Sequence, residues 1–505
     1  MQQITVTMAE QEMKSLAKDT AIYGISSIIG KFMNWLLVPL YTFVLSSSAE
    51  YGIVTNLYAW TAFLLVILTY GMETGFFRFV NKNKEEADKV YSTTLTSVGF
   101  TSFVFAICCV FFSQPIATAM GYGNHPEFIS MLGIVVAMDA FGSIPFAFLR
   151  YKRMPVRFAA LKLFMIGGNI FFNIFFLVVC PWIMTKNPEL ISWFYNPSYG
   201  VGYVFVSNLL STTLVTLALL PYVIKVKFNF DGNLLKQMLR YSLPLLVLGI
   251  AGIMNQTLDK IIFPFLFDDK AEAATQLGIY GACFKIAMVM MMFTQAFRYA
   301  YEPFIFAQHK DKNSKAAYAD AMKYFVIFSL LIFLGMVFGL DILKYLIRSD
   351  YWEGLRVVPI VLFSYIFQGV FFNLSLWYKL TDQTMYGAWF SILGVVITLA
   401  INIAFVPLYG YMASAWASFA CYFVMMIVSY YFGQRNMPIE YDLKKIGIYT
   451  LAAILLYGLS FIVVFDNVIL SYAYKAALLA LFVLLMLKLD LKELIPAVKA
   501  KLGRK

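Results

Sequence analysis

Fourteen separate stretches of this chain are long and apolar: roughly residues 20–44, 52–73, 91–113, 128–149, 158–181, 200–224, 241–266, 276–303, 322–347, 357–378, 384–406, 411–433, 446–465 and 468–488. A helix that crosses a bilayer needs about 20 predominantly apolar residues, and each stretch supplies about that many. The runs are continuous and do not alternate with a period of two, which excludes a closed barrel. Composition agrees, with 61% hydrophobic and 13% charged residues, where soluble domains run at about half and about a quarter. The sequence therefore predicts an all-α polytopic membrane protein with about 14 transmembrane helices. A water-soluble enzyme of this size is excluded, as is a disordered or fibrous chain.

The first twenty residues contain acids and lack a short apolar core with a cleavage site, so no cleaved signal peptide is expected. Cys108, Cys109, Cys180, Cys283 and Cys421 lie in apolar runs without C-x-x-C spacing. They read as small buried side chains. His125 and His309 cannot make a metal site alone, so neither metal nor cofactor is expected.

Lys and Arg set the orientation. With the N-terminus inside, inner segments hold 28 of the 39 basic residues, outer loops hold 5 and the apolar runs hold 6. That bias predicts cytoplasmic termini and an even helix count. The net charge of +11 is then mostly a topology signal and a favourable contact with anionic lipid. It requires no nucleic-acid partner.

The chain also repeats itself. Gly24 and Pro39 match Gly249 and Pro264 at an offset of 225, Gly52-Ile53 match Gly278-Ile279 at 226, and Tyr91, Gly142 and Tyr151-Lys152 match Tyr318, Gly369 and Tyr378-Lys379 at 227. A duplicated six-helix unit leaves such a slowly drifting offset. The expected organisation is two pseudo-symmetric six-helix bundles, 1–226 and 227–440, followed by 441–505 with two further helices and a basic tail. An even helix number gives both copies one orientation, related by an axis along the membrane normal. Pro39 and Pro264 remove a backbone hydrogen bond from each lead helix and are candidate hinges, although proline is also simply tolerated in membrane helices. Gly335 and Gly339 form a GxxxG packing pattern.

Six cations lie inside the apolar runs, away from their extreme ends: Lys31, Lys162, Lys260, Lys285, Arg298 and Lys475. Each would cost roughly 2.5–3.5 kcal/mol if it faced mid-bilayer lipid. Lys162 and Lys475 lie nearer helix ends, where snorkelling relieves the cost. Ser27, Lys31, Asn34 and Tyr41 form one polar stripe, and Asn255–Asp259 and Gln256–Lys260 are i,i+4 pairs at the corresponding place in the second half. Lys31, Asn34, Lys260 and Lys285 are thus candidates to line one cationic cavity suited to a phosphate. Arg298 can join them or pair at i,i+4 with Glu302. Asp139, Asp259 and Glu302 are candidate ion-coupling acids, and Asp139 can equally partner a cavity lysine.

GISSIIGKF at residues 24–32 imitates a phosphate-binding loop, but five residues separate its glycines and Phe32 stands where a hydroxyl must hold magnesium. No nucleophile–histidine arrangement appears. The longest predicted outer loop, about residues 182–199, is too small for a catalytic domain.

GISSIIGKFMNWLLVPLYTFVLSSSAEYGI, LDKIIFPFLF with GIYGACFKIAMVM, and FAQHKDKNSKAAYADA resemble bacterial polysaccharide-biosynthesis flippases. These are similar to the O-antigen flippases of the multidrug/oligosaccharidyl-lipid/polysaccharide exporter superfamily. The resemblance implies two six-helix bundles around a central cavity, often with two further helices. It implies transfer of an undecaprenyl-pyrophosphate-linked oligosaccharide from the inner to the outer leaflet of the bacterial cytoplasmic membrane by alternating access. The pyrophosphate would fall to Lys31, Lys260 and Lys285. The implied partners are the lipid-linked oligosaccharide, membrane lipids and other polysaccharide-assembly proteins. A drug or cation antiporter of the same fold would place acids in the cavity, and a membrane-embedded polymerase or ligase would carry a large outer loop.

Overall fold

The computed structural model describes residues 24, 26–82, 84–308, 314–463 and 465–502, and within them all side chains except those of 84, 302–308, 314 and 491–502. Among the described residues there is no strand. Fourteen helical spans among the described residues are long and apolar enough to cross a membrane, one for each apolar run. They are α1 (Ser26–Val44), α2 (Ser48–Lys82), α3 (Ala87–Phe111), α4 (Pro126–Tyr151), α5 (Pro155–Lys186), α6 (Gly202–Ile224) and α7 (Gly232–Leu266). There follow α8 (Lys270–Tyr301), α9 (Lys315–Phe338), α10 (Ser349–Leu380), α11 (Met385–Tyr409), α12 (Tyr411–Asn436), α13 (Leu443–Ile462) and α14 (Val468–Asp490).

The ends follow local chemistry. Ser47 caps α2 by accepting from the Glu50 amide, and prolines open α4 and α5 where their missing N–H costs nothing. The seventh run begins nine residues before its apolar part, at Gly232, because the Asp231 carboxylate accepts from the amides of Asn233 at 2.8 Å and Leu234 at 3.1 Å. The ninth run is shorter than its apolarity suggests. It stops at Phe338, and Leu340–Leu343 and Lys344–Leu346 follow as separate short turns.

The chain divides into two compact units, residues 1–282 with 391–417 and residues 283–390 with 418–505. In the first unit α3 packs on α4, α6 packs on α4 and α5, and α7 packs on α2. Phe76, Val80, Tyr91, Val98, Ala140, Ile144 and Met238 form its core. Gly52 of α2 and Gly278 of α8 bring two backbones together here: a Cβ on Gly52 would lie 1.8 Å from the Ala274 carbonyl oxygen, and one on Gly278 1.9 Å from that of Ser48.

In the second unit α9 packs against α10, α13 and α14. Asp490, fully buried at the end of α14, ties the last two helices down. It receives Lys445 of α13 at 3.0 Å and Lys323 of α9 at 3.4 Å, and accepts a hydrogen bond from the Tyr449 hydroxyl. Lys475, nearer the opposite end of α14, pairs with Asp341. Asp341 is itself exposed, so the pair lies at a surface.

Candidate functional site

Lys31 is half-buried on α1 and Asn34 is exposed three residues later, while Tyr41 at the end of the same stripe is buried and packs 6.2 Å from the Tyr51 ring. Span α1 is interrupted at Leu36, three residues before Pro39.

Asp259 and Lys260 occupy the corresponding place on α7 and are 2% and 9% exposed. They form a buried ion pair, with Lys260 Nζ 2.9 and 3.0 Å from the two carboxylate oxygens. The Tyr280 hydroxyl donates to Asp259 at 2.7 Å, and its ring lies 5.2 Å from the ammonium. Lys260 Nζ also donates to the Gln256 carbonyl at 3.3 Å. The i,i+4 link of the sequence is therefore made, through the backbone rather than the amide side chain. Asn255 turns elsewhere and donates to the Ser391 carbonyl at 3.0 Å. Lys260 is thus compensated where it sits.

Pro264 stands in the 3-10 turn Phe263–Leu266 that closes α7. Lacking an N–H, it cannot serve the Lys260 carbonyl four residues back. The Asn56 side chain serves it instead: Nδ2 donates to Lys260 O at 2.7 Å, while Oδ1 accepts from the Tyr122 hydroxyl at 3.1 Å. Asn56 is 1% exposed. No sequence pattern pointed to it, since its partner is 204 residues away.

Asp139 is half-buried on α4 and interacts electrostatically with Lys162 of α5, whose ammonium lies 4.1 Å from the Phe146 ring centre. Lys162 is therefore held against an aromatic face with an acid nearby. Glu73 of α2 pairs with Arg150 of α4.

In the second unit Lys285 and Arg298 are both half-buried on α8. The Arg298 guanidinium lies 5.3 Å from the Phe372 ring centre. The Glu302 side chain falls outside the described residues, as do residues 309–313 of the basic stretch. Lys31 and Lys260 belong to the first unit and Lys285 and Arg298 to the second. Among the described residues no cluster of three His, Cys, Asp or Glu could hold a metal ion.

A family model described as polysaccharide biosynthesis protein matches residues 16–306. No curated protein matches the chain. Among solved structures the chain is similar to the lipid II flippase MurJ in an inward closed conformation, with 15% identity over 93% of this chain and 98% of that one and a TM-score of 0.71. It is also similar to an inward-facing multidrug resistance MATE family transporter of the MOP superfamily, with 14% identity, coverage of 81% and 95%, and a TM-score of 0.63. A MOP superfamily transporter from Pyrococcus furiosus gives 14% identity, coverage of 83% and 95%, and a TM-score of 0.53. These likenesses establish the fold.

Proposed function

Because the chain belongs to the polysaccharide biosynthesis protein family, we propose that it moves an undecaprenyl-pyrophosphate-linked oligosaccharide from the inner to the outer leaflet of the bacterial cytoplasmic membrane. The family and the fold are those of flippases and transporters, not enzymes. Surface polysaccharides such as O-antigen are the destination in this reading, and alternating access is the mechanism. The N- and C-termini are cytoplasmic, and the repeated halves 1–226 and 227–440 act as two lobes of one transporter.

The observation that carries the reading is the family match over residues 16–306; Lys31 and Lys285, half-buried on helices otherwise fit for lipid, are the charges assigned to the substrate in this reading. Amines at such positions are costly unless they meet water or an anion. Sugars and phosphates in turn cannot cross hydrocarbon unaided, because each unsatisfied polar group costs several kcal/mol. Lysine is a point charge well suited to phosphate. Lys260 contributes by exchanging Asp259 for the substrate, which makes Asp259 the acid most directly coupled to binding. An inside-negative potential favours outward movement of the anion by roughly 2.3 kcal/mol per charge per 100 mV. Pro39 and Pro264 supply the bending points.

A drug or cation antiporter is the second reading, and the half-buried Asp139 on α4 is the observation in its favour. Deleting the gene and identifying what accumulates separates the two. Build-up of a lipid-linked oligosaccharide on the cytoplasmic side, reproduced by Lys31→Gln with Lys285→Gln in a protein that still inserts, supports the flippase. Normal surface polysaccharide in the deletion strain with altered drug tolerance rejects it.

A further inference from the structure

We propose that the segment joining α5 to α6 is an interfacial anchor, whose Leu190, Trp193 and Phe194 insert into the lipid leaflet where those two spans end. The proposal rests on the spans and not on what the chain transports.

A connection that faces water is ordinarily polar. Residues 190–200 carry no charge, and six of these eleven are Leu, Ile, Trp, Phe or Tyr. The segment is nevertheless folded. Pro188–Leu190 form a 3-10 turn, and the amides of Phe194 and Tyr195 donate to the Ile191 carbonyl at 3.1 and 2.9 Å. Ile191 and Tyr195, four residues apart, are buried, and Tyr195 stacks on Tyr203 of α6 with ring centres 4.8 Å apart. The Tyr203 hydroxyl accepts from the Asn196 amide at 2.7 Å. One side of the segment is thereby fixed to α6, and the fold decides what the other side presents.

That other side is apolar as well. Leu190 is 65% exposed and Trp193 82%, and Phe194 sets its ring edge-on to the indole with centres 4.8 Å apart. The Trp193 indole N–H donates to the Leu190 carbonyl at 3.2 Å. Its single polar atom is thus satisfied inside the segment, and the ring has no other hydrogen bond to offer water or a hydroxyl-rich ligand.

Two observations make lipid the occupant. The exposed apolar residues of α5, Phe171, Ile174, Val178 and Trp182, recur at helical spacing up to the last turn of the span, which ends at Lys186. The segment therefore leaves α5 from a lipid-facing stripe. Lys186 and Glu189, the charges that precede it, are both exposed. Tryptophan beside such charges at a span end is the arrangement of an aromatic belt at headgroup level. In the proposed orientation the leaflet is the outer one.

The test uses the full chain with 5-fluorotryptophan at its eight tryptophan positions, reconstituted in phosphatidylcholine nanodiscs and observed by fluorine NMR. Trp193→Phe, at an exposed position, identifies the Trp193 signal as the one it removes. A nitroxide near the headgroup end of a lipid acyl chain should take away most of that signal's height, and a water-soluble gadolinium chelate should leave it. Leu190→Ser with Phe194→Ser should reverse the two responses, because the neighbours that hold the ring in lipid are gone. Loss of the wild-type signal to gadolinium and not to the lipid nitroxide would overturn the proposal. So would protection from both, the result for a face covered by a second copy of the chain. A saturable shift of the signal with added oligosaccharide, without a response to the lipid nitroxide, would overturn it in favour of a sugar platform. Transport plays no part in these readouts, so failure of the transport reading leaves the anchor standing.

Discussion

Gly52 and Gly278 face one another across α2 and α8, and each would drive a Cβ into the helix that carries the other. The contact is reciprocal: Gly52 approaches the Ala274 carbonyl and Gly278 approaches the Ser48 carbonyl, and both Ser48–Ala274 and Gly52–Gly278 are separated by 226 residues. A surface that meets its own counterpart in this way has the form of a local two-fold, as in isologous interfaces. Alanine at either position should cost about 3 kcal/mol or more, at or beyond the upper end of ordinary overpacking, because the obstacle is backbone. Thermal unfolding of purified Gly52→Ala and Gly278→Ala proteins checks this. Near-wild-type stability in both would mean that the helices separate freely.

Asn56 answers the acceptor that Pro264 leaves open. Asn56→Ala should therefore cost about 1–3 kcal/mol, the penalty of an unsatisfied buried carbonyl. Pro264→Ala returns an N–H to the helix end, so adding Asn56→Ala to it should cost clearly less. A double-mutant cycle by thermal unfolding measures the coupling, and additive losses would contradict it.

Asp490 is the common partner of Lys323, Lys445 and Tyr449. Asp490→Asn takes the buried carboxylate from Lys445 and leaves Lys323 with the exposed Asp320 at 3.4 Å, a change expected to cost about 3–5 kcal/mol, the range for losing one partner of a buried pair. Hydrogen exchange should rise selectively in α13 and α14. Uniform protection across the chain would show that the charges do not hold these helices.

Asp231 lies outside the spans, and the Lys89 ammonium at 2.7 Å, with the amides of Leu234 and Asn233, holds its carboxyl below the usual carboxylate value. A carboxyl depressed on folding stabilises above its unfolded pKa, and that contribution disappears as pH falls through the lower folded value. Wild type should lose stability relative to Asp231→Asn as pH is taken below about 4, the unfolded range for Asp. At neutral pH the wild type should be the more stable of the two. Parallel unfolding curves at every pH would remove Asp231 from the account.

The spans were legible because lipid imposes one rule on every residue of a run, and all fourteen runs became helices. Boundaries set by a polar cap were less so: Asp231 extends α7 beyond its apolar part, and nothing in hydropathy signals it. Lys31, Lys260, Lys285 and Arg298 were visible as charges in apolar surroundings. What surrounds them was not. Asp259 and Lys260 are adjacent in sequence, where helical side chains ordinarily diverge, yet at the end of α7 they meet. Asn34 and Asp259 stand 225 residues apart, at matching places in the expected repeat, yet one is exposed and the other buried. Asn56 and Asp490 act through partners far along the chain, and a single sequence carries no mark of them.

Reconstitution offers the most direct test of the central claim. Vesicles that hold the purified chain and an undecaprenyl-pyrophosphate-linked oligosaccharide labelled on its sugar can be probed with an impermeant reagent that reaches one leaflet. The wild type should move label from the protected to the reactive leaflet, and Lys31→Gln with Lys260→Gln and Lys285→Gln should stop that transfer while still inserting. Equal transfer by the wild type, the triple variant and protein-free vesicles would contradict the account.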